Sequence, residues 1–225
     1  MEILLEGKQI KDSYFVVEQN EFLSLNLISF DELFPVTINI DVEENGKLQL
    51  AFADFSKSTF KIVVNVNLKG RNSSVNSYLV SNCSKGLQKK FDVNVNHLNE
   101  ETFALVKNRG CVQEEGTLLF DGCNFIQKGA VKSSTRQDSK IVVFDENIKS
   151  RCMPTLKIDE NDIQASHAAT LGRVNENDLF YLESRGLDKK EARRILIFAM
   201  FKPIKYMFFN EEIKAKIGRY IEEEL

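Results

Sequence analysis

The sequence predicts a mainly β body followed by a small C-terminal helical domain, and three observations predict it. Apolar and polar residues alternate over short segments in the first two thirds of the chain, notably 34–42, 46–55, 59–70 and 89–98. Such a period of two is typical of half-buried strands. Asn, Gly, Ser and Asp, which favour turns, separate these segments. The period then becomes helical, so we expect a β core over residues 1–172 and a helical domain over residues 173–225.

Further short strands are predicted from Gly110 onward, over residues 116–122, 123–131, 139–145 and 155–160. Closely spaced strands with tight turns suit two architectures, a sandwich of antiparallel sheets or a β-solenoid. No strict sequence repeat is visible, so a solenoid would be irregular. The periodicity alone leaves both architectures open.

Helix start signals follow the β body. Asn175 or Asn177 is the expected N-cap of a first short helix. Asp188, with Glu191 at the capping-box position, is expected to begin a second helix. Asn210 is expected to cap a last helix whose apolar residues recur at helical spacing. The domain is therefore predicted to be a bundle of about three helices.

The composition narrows the partners and the compartment. The net charge is −3 at pH 7, and the basic residues are scattered among acids, so we expect no nucleic-acid partner. No apolar run reaches the roughly 18 residues of a membrane span, and signal-peptide features are missing, so we expect a cytoplasmic protein without a membrane partner. The cysteines lack CxxC spacing and are more typical of reduced core residues than of ligands. They are Cys83, Cys111, Cys123 and Cys152.

The sequence carries no familiar catalytic signature. It has no glycine-rich phosphate loop, no GxSxG elbow, no HExxH pair and no dinucleotide fingerprint. It has only two histidines, and no pair of carboxylates stands out among its 33 acidic residues. We therefore expect a protein that is not an enzyme.

The two histidines are the candidates for ligand chemistry. His167 lies within a run of small residues, 165–169, which would let a partner surface approach it. A neutral imidazole binds borderline metals, iron among them. The alternative interpretation is a hydrogen-bonded histidine in a turn between a strand and a helix. For His97, at the end of a predicted strand, a hydrogen bond to the backbone is the favoured interpretation.

The helical domain carries more large apolar side chains than a short helical hairpin needs to cover itself. They are Phe180, Tyr181, Phe198, Met200 and Phe201. We expect this surplus to cover the β body, a partner, or both.

One long motif extends over residues 154–204. It runs P-x-L-x-I, then S-H-x-A-T-x-G, then L-F-Y-L-x-S-R-G, then E-A before an apolar helix that ends in Phe. The motif resembles the C-terminal signature of the SufB/SufD family of iron–sulfur cluster assembly proteins. Ser166 before the histidine resembles SufD, whereas SufB has an acid there. A weaker similarity extends upstream to about residue 60, and the first 60 residues match little.

The resemblance implies a right-handed parallel β-helix with a C-terminal helical domain. It implies a SufB-like partner, joined as a heterodimer through the ends of the β-helices, with a homodimer as the alternative. It also implies that a SufC-like ABC-type ATPase binds the helical domain within residues 178–201. The candidate contact residues for this ATPase are Leu179, Phe180, Tyr181, Arg185, Phe198 and Phe201.

In this family the histidine that matches His167 lies where SufB and SufD meet. There it contributes, with a SufB cysteine, to the site of the nascent cluster. The resemblance thus implies a non-catalytic scaffold without a tightly bound cofactor, a transient iron–sulfur cluster at a shared interface, and compatibility with a bound flavin. Ala168 replaces the family glycine, so a positive φ there would cost more, and Ala165 replaces a cysteine of some members.

Two other functions fit the residues. The first is a β-solenoid structural or interaction protein with no role in cluster assembly. The second is a small-molecule or sugar-binding β domain, and the lack of Trp and the scarcity of Tyr in the strand region disfavour sugar binding. The requirement for His167 in cluster formation separates the first alternative from the scaffold.

Overall fold

The computed structural model describes residues 1–144, 146 and 149–223, which form a two-sided parallel β-solenoid followed by helices. The strands are β1 Glu2–Glu6, β2 Ser13–Val17, β3 Phe22–Ser29, β4 Val36–Val42, β5 Lys47–Asp54, β6 Phe60–Leu68, β7 Ser74–Cys83, β8 Gln88–His97, β9 Phe103–Val112, β10 Thr117–Ile126, β11 Ser133–Val143, β12 Arg151–Ile158 and β13 Ile163–Arg173. The helices are α1 Glu176–Ser184, α2 Lys189–Phe201 and α3 Glu211–Glu223.

Each coil contributes one strand to each of two sheets. Sheet A has the order β1-β3-β5-β7-β9-β11-β13, and sheet B has the order β12-β10-β8-β6-β4-β2. All neighbouring strands are parallel and in register. Period-2 alternation suits this arrangement, because one side of each strand faces the interior between the sheets. The parallel β-helix is thereby confirmed, and the alternative of an antiparallel sandwich is wrong.

Register partners stack side chains of successive coils into columns. One interior column of sheet A consists of Leu25, Leu50, Ser77, Val106, Gln137 and His167. The spacing between these residues changes from coil to coil, which explains why the sequence shows no strict repeat. Toward the N-terminal coils the column is apolar, and toward the C-terminal end it becomes polar.

Asparagines outside sheet B explain the repeated Val-Asn pattern of the sequence. Asn65 donates from Nδ2 to Asn39 Oδ1 at 2.9 Å, and Asn94 donates in the same way to Asn65 Oδ1 at 2.9 Å. Such ladders form when identical amides stack in a parallel register. These asparagines therefore stabilise strands, although the sequence suggested asparagine chiefly as a turn residue.

A buried ion pair lies inside the solenoid. The ammonium of Lys89 donates to Asp54 Oδ2 at 2.8 Å, and both side chains are 0% exposed. Lys89 Nζ also donates to the carbonyl oxygens of Ser56 and Asn82. Asp54 in turn accepts from the hydroxyl of Ser81 at 2.6 Å. Every strong donor and acceptor of the pair is thus satisfied within the protein, as a buried charge requires.

The helices pack against the outer face of sheet A. Ala51, Tyr78 and Val80 of that face are buried together with Ile197 and Phe201 of α2 in one apolar cluster. The backbone carbonyl of Met207 accepts hydrogen bonds from the side-chain amides of Asn26 and Gln49. Part of the apolar surplus of the helical domain therefore covers the β body, as the sequence indicated. Among the described residues, no helix is both long enough and apolar enough to cross a membrane.

Local signals predicted the helix beginnings better than the strand boundaries. Asn175 caps α1, and Asp188 with Glu191 forms a capping box at α2. The predicted strands 116–122 and 123–131 are instead the single strand β10. Gly122 lies inside β10, at a point where the backbone of β8 comes close. A Cβ at this position would meet the carbonyl oxygen of Val93 at 2.1 Å, so only glycine fits.

Candidate functional site at the open end of the solenoid

The C-terminal end of the solenoid presents two edge strands. In the part of the chain that the structure describes, β13 pairs only with β11, and β12 pairs only with β10. Val174 donates its N–H to Val143 O, and backbone groups alternate sides along a strand. The N–H groups of odd-numbered residues of β13 therefore point to the free edge. Such a row of unpaired backbone groups can pair with a strand of another chain.

The two edges differ in their capacity for pairing. Asp159, just after β12, donates its N–H to Ile126 O, so the even-numbered residues of β12 point to the free edge. One of these is Pro154, which has no N–H to offer. β13 has no proline over its eleven residues. The free edge of β13 is therefore the better template for an added strand.

His167 lies in the middle of β13 and not in a turn before a helix. It pairs with Gln137 of β11, whose side chain is buried in the interior. Because register partners of a parallel sheet face the same side, His167 belongs to the interior column. It is exposed because no further coil of the described residues covers it. The turn interpretation was wrong because the residues around it are too small and too exposed to show the alternation of a strand.

A polar layer lies directly beneath His167. The interior positions of β11 there are Thr135, Gln137 and Ser139, all almost fully buried. Asn124 donates to Thr135 Oγ1 at 2.7 Å, and Asn108 donates to Ser139 Oγ at 3.0 Å. Gln137 Oε1 is buried without a hydrogen-bond partner among the described residues. The end of the solenoid thus has a polar floor, unlike the apolar interior of the first coils.

Cys152 is a second possible metal ligand at this end. It pairs with Phe120, an interior residue of β10, and it is partly buried. Burial raises the pKa of its thiol, while a hydrogen bond with the Ser139 side chain lowers that pKa in part. Ser139 is two residues from Gln137 along β11, so the thiol lies one interior position from the column of His167.

The remaining cysteines have other settings. Cys83 and Cys111 are buried, and burial raises the pKa of the Cys83 thiol to about 11. Cys123 lies partly exposed in β10, at a position that alternates with the interior ones. Within the described ranges, no group of three or more His, Cys, Asp or Glu side chains could hold a metal ion. His167 and Cys152 are the imidazole and the thiol at interior positions of the last two strands.

The departures at Ala165 and Ala168 are readily accommodated. Ala168 lies in extended strand, paired with Asp138, and it is not among the residues with positive φ. Alanine therefore carries no conformational penalty here relative to glycine. Ala165 pairs with Thr135 on the interior side, one interior position from His167.

His97 is a structural residue. It ends β8, as the sequence predicted, and its side chain is 0% exposed. Its Nδ1 lies 2.8 Å from the hydroxyl of Thr102, so the partner is a side chain and not the backbone. Burial lowers the pKa of His97 to about 4, so the imidazole is neutral at pH 7. No partner can reach this ring.

The candidate contact residues of the helical domain divide into two groups. Phe180 and Tyr181 on α1 are 72% and 57% exposed, and the guanidinium of Arg185 lies 5.4 Å from the centre of the Tyr181 ring. Leu179 and Phe201 are 8% and 0% exposed, so these two hold the helices in place and cannot touch a partner directly. Phe198 is half-buried beneath the ammonium of Lys202.

The fold and the C-terminal end of the solenoid define a class of protein. It is a parallel β-solenoid whose last strand has a free edge and presents a histidine that could bind a metal. The SufBD core domain of the SUF system of FeS cluster assembly matches residues 21–200. The chain belongs to this SufB/SufD family. The match begins far upstream of residue 60, so the expectation that the first 60 residues match little was wrong.

Curated relatives agree with this assignment. The iron–sulfur cluster assembly protein SufD of Bacillus subtilis is 30% identical over 60% of this chain and 31% of its own length. The SufD of Escherichia coli is 26% identical over 47% of this chain and 25% of its own length. A SufBD family protein of Staphylococcus epidermidis is 23% identical over 75% of this chain and 36% of its own length. The resemblance to SufD is confirmed, and the chain spans roughly a third or less of these relatives.

Proposed function

We propose that this chain is a non-catalytic scaffold subunit in SUF iron–sulfur cluster assembly. It pairs with a SufB-like subunit and binds a SufC-like ABC-type ATPase. The observation that carries the proposal is the position of His167, exposed on the interior column of an unpaired edge strand, within a chain that belongs to the SufB/SufD family. We propose a cytoplasmic location and no nucleic-acid or membrane partner.

The SufB-like subunit adds a strand to the free edge of β13. Edge pairing would bring a second solenoid end against the first and cover His167, Cys152 and the polar layer beneath them. The heterodimer is the form we propose, and a second copy of this chain at the same edge is the alternative.

The nascent cluster is the product that the shared interface would hold. His167 supplies a neutral imidazole, which is a suitable ligand for iron. Cys152 would have to lose a proton that burial holds on its thiol. Two donors do not complete a cluster, so the remaining thiolates would come from the SufB-like subunit. In this proposal the cluster is transient, and the chain needs no tightly bound cofactor. A bound flavin stays a prediction from the family resemblance, and the proposed scaffold role does not require it.

Phe180 and Tyr181 are the proposed contact residues for the ATPase. We expect the double variant Phe180→Ala/Tyr181→Ala to weaken ATPase binding at least about tenfold, because exposed aromatic side chains are frequent hot spots of interfaces. The measurement is a pull-down of the SufC-like protein, with thermal unfolding to verify the fold. Tyr206→Ala removes another exposed aromatic ring, 68% exposed, and should leave binding unchanged. Retained binding by the double variant would count against this surface.

Anaerobic co-purification with the SufB-like and SufC-like proteins of the same organism tests the function as a whole. The scaffold predicts one complex that contains all three chains and acquires iron and the visible absorption of a cluster. A chain that joins neither protein would contradict the proposal. If the complex forms but its cluster content does not depend on this chain, the result would favour the structural or interaction protein with no role in cluster assembly.

A further inference from the structure

A cavity of about 720 Å³ lies away from the open end. It is formed where the turns after β5, β7 and β9 meet the beginning of α2. Its lining includes five basic residues, Lys57, Lys85, Lys189, Lys190 and Arg193, and one acid, Glu114. Since the whole chain is net negative, this concentration of positive charge is a local feature. Charge collected in a concave site attracts and concentrates anions.

The four lysines of the lining are exposed and available to a ligand, and Arg193 is partly buried. None of them forms an ion pair with another described residue, and Lys189 and Lys190 are exposed. The nearest acids along the chain, Asp188 and Glu191, accept backbone N–H groups from each other in the capping box of α2. Neither of these acids lines the cavity.

Two buried polar atoms of residues that line the cavity have no hydrogen-bond partner among the residues that the structure describes. They are Asn82 Oδ1, an acceptor, and Arg193 Nε, a donor. Asn82 is 9% exposed and belongs to β7, and the Arg193 guanidinium lies 5.3 Å from the centre of the Phe144 ring. Buried polar groups are nearly always bonded. Both atoms are closed to solvent in the free chain, so a ligand in the cavity would bond to them after a shift of the side chains that cover them.

We propose that this cavity binds a nucleotide-sized molecule with at least two phosphate groups. Phosphate oxygens suit the lysines and Arg193, and a hydroxyl or ring N–H supplies the donor that Asn82 lacks. The volume lies within the range of small-ligand pockets. The carboxyl ends of parallel strands open onto this cavity, and ligands of parallel sheets often bind at such ends. The site is independent of the proposed role in cluster assembly.

Isothermal titration of the full chain with ADP tests the proposal, with tripolyphosphate as a second probe. We expect the wild type to bind ADP and the pair Lys189→Ala/Lys190→Ala to weaken binding at least about tenfold, since charge-assisted hydrogen bonds are lost. The pair Lys11→Ala/Lys128→Ala changes the net charge equally at exposed positions outside the cavity and should leave binding unchanged. Asn82→Ala should weaken ADP and spare tripolyphosphate. Thermal unfolding verifies that each variant is folded.

Several outcomes would overturn the proposal. One is the lack of ADP binding at millimolar concentration. Another is an equal loss of ADP affinity in Lys11→Ala/Lys128→Ala, which would indicate that ADP is attracted by the overall charge and not by the cavity. Tripolyphosphate that binds as tightly as ADP, with Asn82→Ala without effect, would indicate a site for any polyanion. A hexaglutamate peptide that binds more tightly than ADP would assign the cavity to an acidic segment of a protein partner.

Discussion

Replacement of Lys89 by methionine is expected to destabilise the solenoid by about 3–5 kcal/mol, the cost of leaving a buried carboxylate without its partner. Asp54 is 0% exposed, and Lys89 is its only cationic contact among the described residues. The hydroxyls of Ser56 and Ser81 still donate to Asp54 in the variant, but hydroxyls do not neutralise the charge. Chemical unfolding of the isolated chain measures the effect.

Two controls separate charge burial from loss of packing. The double variant Lys89→Met/Asp54→Leu removes both charges and should recover most of the loss, since apolar replacement of a whole buried pair is often close to neutral. Lys8→Met breaks the surface pair with Glu32, whose side chains are 76% and 59% exposed, and should change stability little. A Lys89→Met variant as stable as Lys8→Met would contradict the buried pair.

The second large effect is expected at the free edge of β13. Ala169→Pro removes an N–H that points to solvent in the free chain, so the monomer keeps its internal hydrogen bonds and should remain folded. Pairing of a partner strand loses that N–H and meets the proline ring. We expect the affinity for the SufB-like subunit to fall by roughly two orders of magnitude, as measured by titration of the purified subunits.

The direction of the N–H group provides a matched control. Thr170→Pro, one residue further, removes an N–H that points toward β11 and should lower the thermal stability of the free chain. Ala169→Ser keeps both the N–H and the small size and should bind as the wild type does. Full binding by Ala169→Pro would show that the partner does not use this edge.

Features with local causes could be predicted from the sequence. The capping box of Asp188 and Glu191 depends on residues three apart, and the sequence specified it. The strands could be predicted because side chains along each strand alternate between the interior and the outer face, which produces a period of two in the sequence. The β pattern alone left a sandwich and a solenoid open, and the resemblance to the SufB/SufD signature predicted a parallel β-helix. The observed sheets confirm this prediction.

Features that depend on distant parts of the chain could not be predicted. Lys89 and Asp54 are 35 residues apart and look like surface charges in the sequence. The basic cavity combines Lys57, Lys85 and Lys190 from two turns and a helix, which only the coiling brings together. β13 escaped prediction because the strand at the end of a solenoid has no coil above it and needs no apolar interior face.

The most direct test of the account compares wild type with His167→Ala in the anaerobic complex with the SufB-like and SufC-like proteins. Ser166→Ala, the adjacent residue on the other face of β13, serves as the matched control. We expect wild type and both variants to assemble equally well with their partners. Ser166→Ala should retain iron and cluster absorption, and His167→Ala should lose most of both. Equal iron content and absorption in His167→Ala and wild type would contradict the assignment of His167 to the shared cluster site.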